Sequence, residues 1–137
     1  MDENCLQLEL ESRCSALPSA RRALRAWLTL SRLSHQERED FVLAVSEVLA
    51  NAVIHSNRRQ PARRVTLTGQ LDETGRSVWI GVQDEGGSLI QTPDAPDPLA
   101  ESGRGLRLAH QLVDELVLGA QPGLVLLRKT AAASEPL

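Results

Sequence analysis

The sequence predicts an α/β fold: an α+β two-layer sandwich in which three helices cover one face of a mixed sheet of about four strands. Three observations carry that prediction. Short stretches that alternate apolar and polar residues are interleaved with longer stretches at helical spacing, in the order β-α-α-β-β-loop-α-β. The chain has 137 residues, 42% hydrophobic and 24% charged, which suits a single domain over residues 1–137 that can bury its own core. No internal repeat breaks that unit into an array.

The elements follow in order. Residues 5–11, CLQLELE, alternate and read as a strand. After a turn around Pro18, Ser19 is placed to cap a helix whose apolar positions are Ala20, Leu24, Trp27, Leu28 and Leu30, with Arg21, Arg22 and Arg25 on its polar face. Ser34 followed three residues later by Glu37 is a capping box. It opens a second helix through Phe41, Val45, Val48, Leu49, Ala52 and Val53, expected to stop near Ser56 and Asn57, before Pro61. Residues 65–71 and 78–82 alternate on either side of Asp72-Glu73-Thr74-Gly75 and predict a hairpin. Gly86, Gly87, Pro93, Pro96 and Pro98 then mark a long loop, of the kind that in small domains is functional or mobile. Gly103-Arg104-Gly105 opens a third helix with Leu106, Leu108, Ala109, Leu112, Val113 and Leu116 on its apolar face, ended by Gly119. The apolar run 123–127 is a last strand with a central place in the sheet. Residues 131–137 read as a frayed tail.

Composition removes several function classes. The net charge of -3 argues against a nucleic-acid binder that relies on a basic field. Aromatic side chains make up 2% of the chain, too few for base-stacking platforms. No stretch is apolar for the roughly 18 residues of a membrane span, and no N-terminal segment reads as a secretory signal, so a cytoplasmic setting is expected. Cys5 and Cys14 have neither a disulfide framework nor metal-finger spacing and read as ordinary small residues.

Three places carry polar chemistry. Glu47 and Asn51 sit four apart on one face of the otherwise apolar second helix. They are either a solvated stripe or a site facing a pocket, where a carboxylate can orient or deprotonate a hydroxyl and an amide oxygen can coordinate Mg²⁺. His55 adds a polar group one turn on. Asp84, at the end of a strand and before Gly86 and Gly87, is either a turn residue or a carboxylate suited to accept from the amino group of adenine, with glycine allowing close backbone approach. Gly103, Gly105 and the amides that follow, through Leu106, open a helix, and a helix N-terminus binds phosphate through bare N–H groups and its dipole.

Taken together, these runs resemble a known family. FVLAVSEVLANAVIHS resembles the N box of the histidine-kinase-like ATPases, VQDEGGS their first glycine box and ESGRGLRLAHQLVDEL their second, in matching order over nearly the whole chain. Within that superfamily the sequence is most similar to the small bacterial anti-sigma serine kinases of the RsbW and SpoIIAB type. The resemblance implies a Bergerat-type ATP-binding fold and a serine/threonine protein kinase that uses ATP and Mg²⁺. Asn51 becomes the Mg²⁺ ligand and Glu47 the general base or hydroxyl-orienting group. Asp84, with Gly86 beside it, reads adenine. Gly103, Gly105 and Leu106 hold phosphates, and Arg104 is either a further phosphate contact or an exposed lid residue. Residues 88–102 become an ATP lid.

The resemblance also implies partners: a STAS-domain anti-anti-sigma protein as substrate, a sigma factor or analogous target that competes with it, an arginine among Arg21, Arg22 and Arg25 for partner contact, and a homodimer through the edge formed by the first strand. Ser88 departs from the glycine that the wider superfamily prefers, and the lid is short, Pro-rich and acidic. The rival readings are a non-catalytic ATP-binding protein that sequesters partners without phosphotransfer, an ATP-hydrolysing switch of the larger superfamily members, and a structural interaction module.

Overall fold

The computed structural model describes residues 3–59, 64–84, 103–119, 121 and 123–132. Its elements are β1 (Cys5–Glu11), a 3-10 turn (Cys14–Ala16), α1 (Leu17–Leu28), α2 (His35–Arg59), β2 (Arg64–Leu71), β3 (Ser77–Asp84), α3 (Gly103–Leu112), β4 (Glu115–Leu118) and β5 (Leu124–Thr130). The five strands form one sheet in the order β1-β2-β3-β5-β4. The second helix, α2, contacts β2, β3 and β5 and lies between α1 and α3, so the three helices make the second layer.

The expected sandwich is therefore present, with two differences. Every strand pair is antiparallel, whereas a mixed sheet was expected. The connection through α3 does return the chain in the direction of β3, but β5 folds back between β3 and β4, so strands of like direction never become neighbours. The second difference is β4 itself. Leu116 was expected on the third helix, yet α3 ends at Leu112 and residues 115–118 pair with β5. Asp114 accounts for the break, because its N–H donates to the Arg128 carbonyl at 2.9 Å and its Oδ2 accepts the Thr130 N–H at 2.6 Å. Both bonds draw the chain into the sheet.

Local chemistry explains the helix starts. α1 begins at Leu17, two residues ahead of the Ser19 cap expected from the sequence, because Pro18 presets a helical φ in the first turn. At α2 the capping box forms as read: Ser34 Oγ accepts the Glu37 N–H at 3.0 Å, and Glu37 Oε1 accepts the Ser34 N–H at 2.8 Å. Glu37 Oε2 also accepts the Ala132 N–H at 2.8 Å. Ala131 is buried and its N–H donates to the Arg76 carbonyl at 2.7 Å. The expected tail thus does not start at 131, since these two residues are tied to the hairpin and to α2. Residues 133–137 lie outside the described part.

One face of the sheet meets the helices through Leu10, Val65, Leu67, Leu71, Val78, Ile80, Val82, Val125 and Leu127. From the helix layer come Leu24, Trp27, Leu28, Phe41, Val45, Val48, Leu49 and Val53. Trp27 lies over Gly69: a Cβ built there would meet Trp27 Cη2 and Cζ3 at 2.8 Å. The Gly69→Ala variant should therefore lose about 1–3 kcal/mol in urea unfolding through overpacking, and the additional Trp27→Leu change should recover part of it.

The capping carboxylate makes stability depend on pH. Burial alone would raise the Glu37 carboxyl above its ordinary 4.5, but hydrogen bonds from Ser34 and Ala132 and the charge of Lys129 hold it below that value. A carboxyl depressed in the folded state contributes stability that is complete above its ordinary value and fades as pH falls through the folded one. Glu37→Gln should consequently lower the melting temperature near neutral pH and narrow its gap to the parent protein as pH falls below 4.5.

Candidate nucleotide-binding and phosphotransfer site

The core face of α2 is apolar without interruption. Phe41, Val42, Ala44, Val45, Val48, Leu49, Ala52 and Val53 are each no more than 2% exposed. Glu47 and Asn51 sit one turn apart at the margin of that face and are both half-buried. Neither is paired within the protein among the described residues. Asn51 Nδ2 is buried and has no hydrogen-bond partner. Among the described residues Glu47 has neither ion pair nor hydrogen bond. A buried polar group left unpaired costs about 1–3 kcal/mol, so this stretch of α2 departs from what stability alone would select.

Asp84 ends β3 on the core-facing side of the sheet, in line with Val78, Ile80 and Val82, and is 1% exposed. Its N–H donates to the Gly123 carbonyl at 3.0 Å, which ties the strand end to the β4–β5 connection. Gly123 has φ +75° there, a conformation that suits glycine. A buried carboxylate at a strand end is a strong acceptor presented by a rigid element.

The third component is the start of α3. Gly103, Arg104 and Gly105 form its first turn, where backbone N–H groups have no intrahelical acceptor. Leu106 follows with its side chain in the core, 5% exposed, so only its N–H is available to a ligand. The other end of α3 is anchored by Lys129, the single lysine of the chain, whose Nζ donates to the Leu112 carbonyl at 2.6 Å. A cation at a helix C-terminus also complements the dipole. The side chains of Arg104 and His55, Gly86, Ser88 and the expected lid 88–102 lie outside the described residues.

α2 contacts both β3 and α3, so the elements that carry Glu47, Asn51, Asp84 and the α3 N-terminus are joined through one helix. The cation donors on offer are hard oxygens. A half-turn of the Asn51 amide would present Oδ1 where the unpartnered Nδ2 now sits, which fits a Mg²⁺ ligand. No group of three or more His, Cys, Asp or Glu gathers as a metal cage among the described residues.

The three arginines of α1 differ in setting. Arg22 is exposed and without an ion pair among the described residues. Arg25 Nε donates to Glu39 Oε2 at 3.3 Å on the surface. Arg21 is half-buried, and its Nε has no partner.

Comparison with known proteins agrees with this arrangement. The histidine kinase-like ATPase domain matches residues 10–129, and the chain belongs to that family. Among curated proteins it is 25% identical over 130 residues to an anti-sigma F factor of Clostridium beijerinckii, with 90% of each chain covered. It is 31% identical over 101 residues to the serine-protein kinase RsbW of Bacillus pumilus, across 66% of this chain and 62% of that one. Among solved structures it superposes on the RsbU and RsbW domains of a Mycobacterium tuberculosis protein with a TM-score of 0.67 and 26% identity. That alignment takes in 96% of this chain but 33% of the longer one.

Replacing the unsatisfied amide by an apolar group of similar size should relieve its desolvation penalty. The Asn51→Leu variant is expected to unfold in urea at the parent midpoint or up to about 1 kcal/mol above it without nucleotide, while the stabilisation that Mg·ATP gives the parent should disappear.

Proposed function

We propose that the protein is an ATP-dependent serine/threonine protein kinase and anti-sigma factor of a partner-switching system. It would phosphorylate a STAS-type anti-anti-sigma protein and sequester a sigma factor or an analogous target. The observation that carries this reading is the buried, unpartnered Asn51 amide one turn from Glu47 on α2, in a chain of the histidine kinase-like ATPase family. The names of the curated relatives support both halves, anti-sigma factor and serine-protein kinase.

In this mechanism the Asp84 carboxylate accepts from the exocyclic amine of adenine, with Gly86 leaving room beside it. The N–H groups of Gly103, Gly105 and Leu106 donate to phosphate oxygens, with Arg104 able to add a charge-assisted contact. Residues 88–102 serve as the lid. Asn51 Oδ1 is the protein ligand for Mg²⁺, which when bound neutralises phosphate charge. Glu47 accepts the hydroxyl proton of the partner's Ser or Thr as its oxygen bonds to the γ-phosphorus and the bond to ADP breaks. Phosphoryl transfer asks the protein mainly for alignment and charge stabilisation, and this residue set supplies both.

Partner contact falls on α1. Arg22 has the free guanidinium, and a guanidinium can grip a partner's carboxylate in bidentate fashion. A cytoplasmic setting belongs to the same reading, since sigma factors act there. Among the described residues no helix is long and apolar enough to cross a membrane. A homodimer is implied by the resemblance.

The test is transfer of label from γ-labelled ATP to a Ser or Thr of the STAS-domain protein encoded nearest to this one. Glu47→Gln should keep or raise Mg·ATP affinity and lose about 10²–10⁴-fold in transfer rate. Transfer at the parental rate would remove Glu47 as the base. Absence of label with ATP still bound would favour the non-catalytic binder. Asp84→Asn should weaken ATP far more than GTP, read by competition binding. Equal losses would exclude adenine readout.

A further inference from the structure

Large apolar side chains rarely reach the surface of this protein. Among the described residues Leu30, Leu43, Ile54 and Leu118 do so, at 38–51% exposed. Two of these four belong to α2, and they lie on one line. A helix turns by about 100° per residue, so Leu43 and Ile54 fall within about 20° of each other around the axis. Glu47 lies about 40° from Leu43 and about 20° from Ile54. Asn51 is about 40° further round on the far side of Glu47. The carboxylate thus stands between the buried amide proposed as cation ligand and a line of exposed hydrocarbon.

The outward strip of α2 changes character along its length. Its first turns are polar and paired: Gln36 donates to Asp40 at 2.8 Å, and Glu39 accepts from Arg25 of α1 at 3.3 Å. Beyond them the strip presents Leu43, Glu47, the half-buried Ala50 and Ile54, with hydrocarbon on both sides of one carboxylate. Ser46, at the margin, turns its hydroxyl onto the Val42 carbonyl at 2.6 Å. Of the α1 cations Arg21, Arg22 and Arg25, none pairs with Glu47. A helix strip that meets only water ordinarily carries polar and charged side chains.

We propose that Leu43, Ala50 and Ile54 form the platform on which a protein substrate lays the segment bearing its serine or threonine, and that this platform selects a hydroxyl flanked by apolar side chains. The inference rests on the reading of Glu47 as the group that takes the hydroxyl proton. A hydroxyl delivered to Glu47 brings its own chain over the strip, because Leu43 lies about 6 Å and Ile54 about 10 Å along the axis from Glu47 at a rise of 1.5 Å per residue. An extended segment laid along the strip advances about 3.3 Å per residue and turns alternate side chains the same way. The residue two positions from the hydroxyl therefore meets Leu43, and on the other side the residues two and four positions away bracket Ile54. Covering those side chains removes apolar surface from water, whereas a charged flank would lose hydration against hydrocarbon. The carboxylates of Glu39 and Asp40 are already engaged at the polar end of the strip, so Glu47 is the one left to attract a basic flank.

The test uses the full chain with Mg·ADP and three short, end-capped peptides. Each has a central serine, with leucine, lysine or glutamate two and four positions to either side and glycine elsewhere. Methyl NMR should show the Leu43 and Ile54 resonances shifting in a saturable way with the leucine peptide, and the lysine and glutamate peptides should bind about tenfold more weakly. Leu43→Gln and Ile54→Gln should each weaken the leucine peptide about tenfold, with the melting temperature and Mg·ATP affinity little changed. Leu43→Met should bind it like the parent. With γ-labelled ATP, transfer to the three peptides should follow the same order. Binding in this order without any transfer would keep the platform and count against phosphotransfer. Transfer at equal rates to all three, or undiminished by both glutamine variants, would overturn the platform and keep the kinase. Preference for the lysine peptide, or no saturable shift at Leu43 and Ile54, would also overturn the platform.

Discussion

α2 is enclosed by α1, α3 and three strands, so only a narrow strip of its surface escapes the core. Everything else about the site follows from that enclosure. A side chain on the margin of the strip is held by close packing on its own helix, with Val48 and Leu49 on one turn and Ala52 and Val53 on the next, each no more than 2% exposed. Glu47 and Asn51 occupy that margin. The dense interior that fixes them also leaves the Asn51 Nδ2 buried without a partner.

The sheet contributes position in a second way. Its antiparallel order places β5 between β3 and β4, and the turn before β5 fastens the end of β3 through the bond from Asp84 to Gly123. Lys129, on the same β5, holds the far end of α3. β5 and the turn before it therefore tie down both the end of β3 that carries Asp84 and the C-terminal end of α3. A helix start that carries two glycines gains from such an anchor, since glycine loosens the first turn.

Much of this was legible in the sequence because local chemistry and global packing agree. The β1 alternation gave the strand to the residue, and Ser34 with Glu37 gave the α2 cap with both of its hydrogen bonds. Glu47, Asn51 and Asp84 could be singled out as polar residues in apolar surroundings. What could not be read has physical causes. Leu116 fits helical spacing after Leu112, and only the Asp114 bonds to Arg128 and Thr130 turn that segment into a strand. Ala131 looks like the start of a tail, and only Arg76, far off in sequence, makes it part of the core. The antiparallel order depends on β5 inserting beside β3, a choice between long-range pairings that no local pattern encodes.

The choice between kinase and silent binder turns on Glu47. A protein that only holds nucleotide needs an acceptor for adenine, donors for phosphates and a ligand for the cation, roles for which Asp84, the α3 amides and Asn51 suffice. Glu47 adds nothing to them. At this position a carboxylate does nothing for the fold: it is half-buried and unpaired among the described residues, and alanine is the better helix former. It would also repel the phosphates that a binder must attract. A carboxylate kept next to the proposed cation ligand, against both stability and nucleotide affinity, is accounted for by a task performed on a neutral hydroxyl that must lose a proton, and phosphotransfer to serine or threonine is such a task.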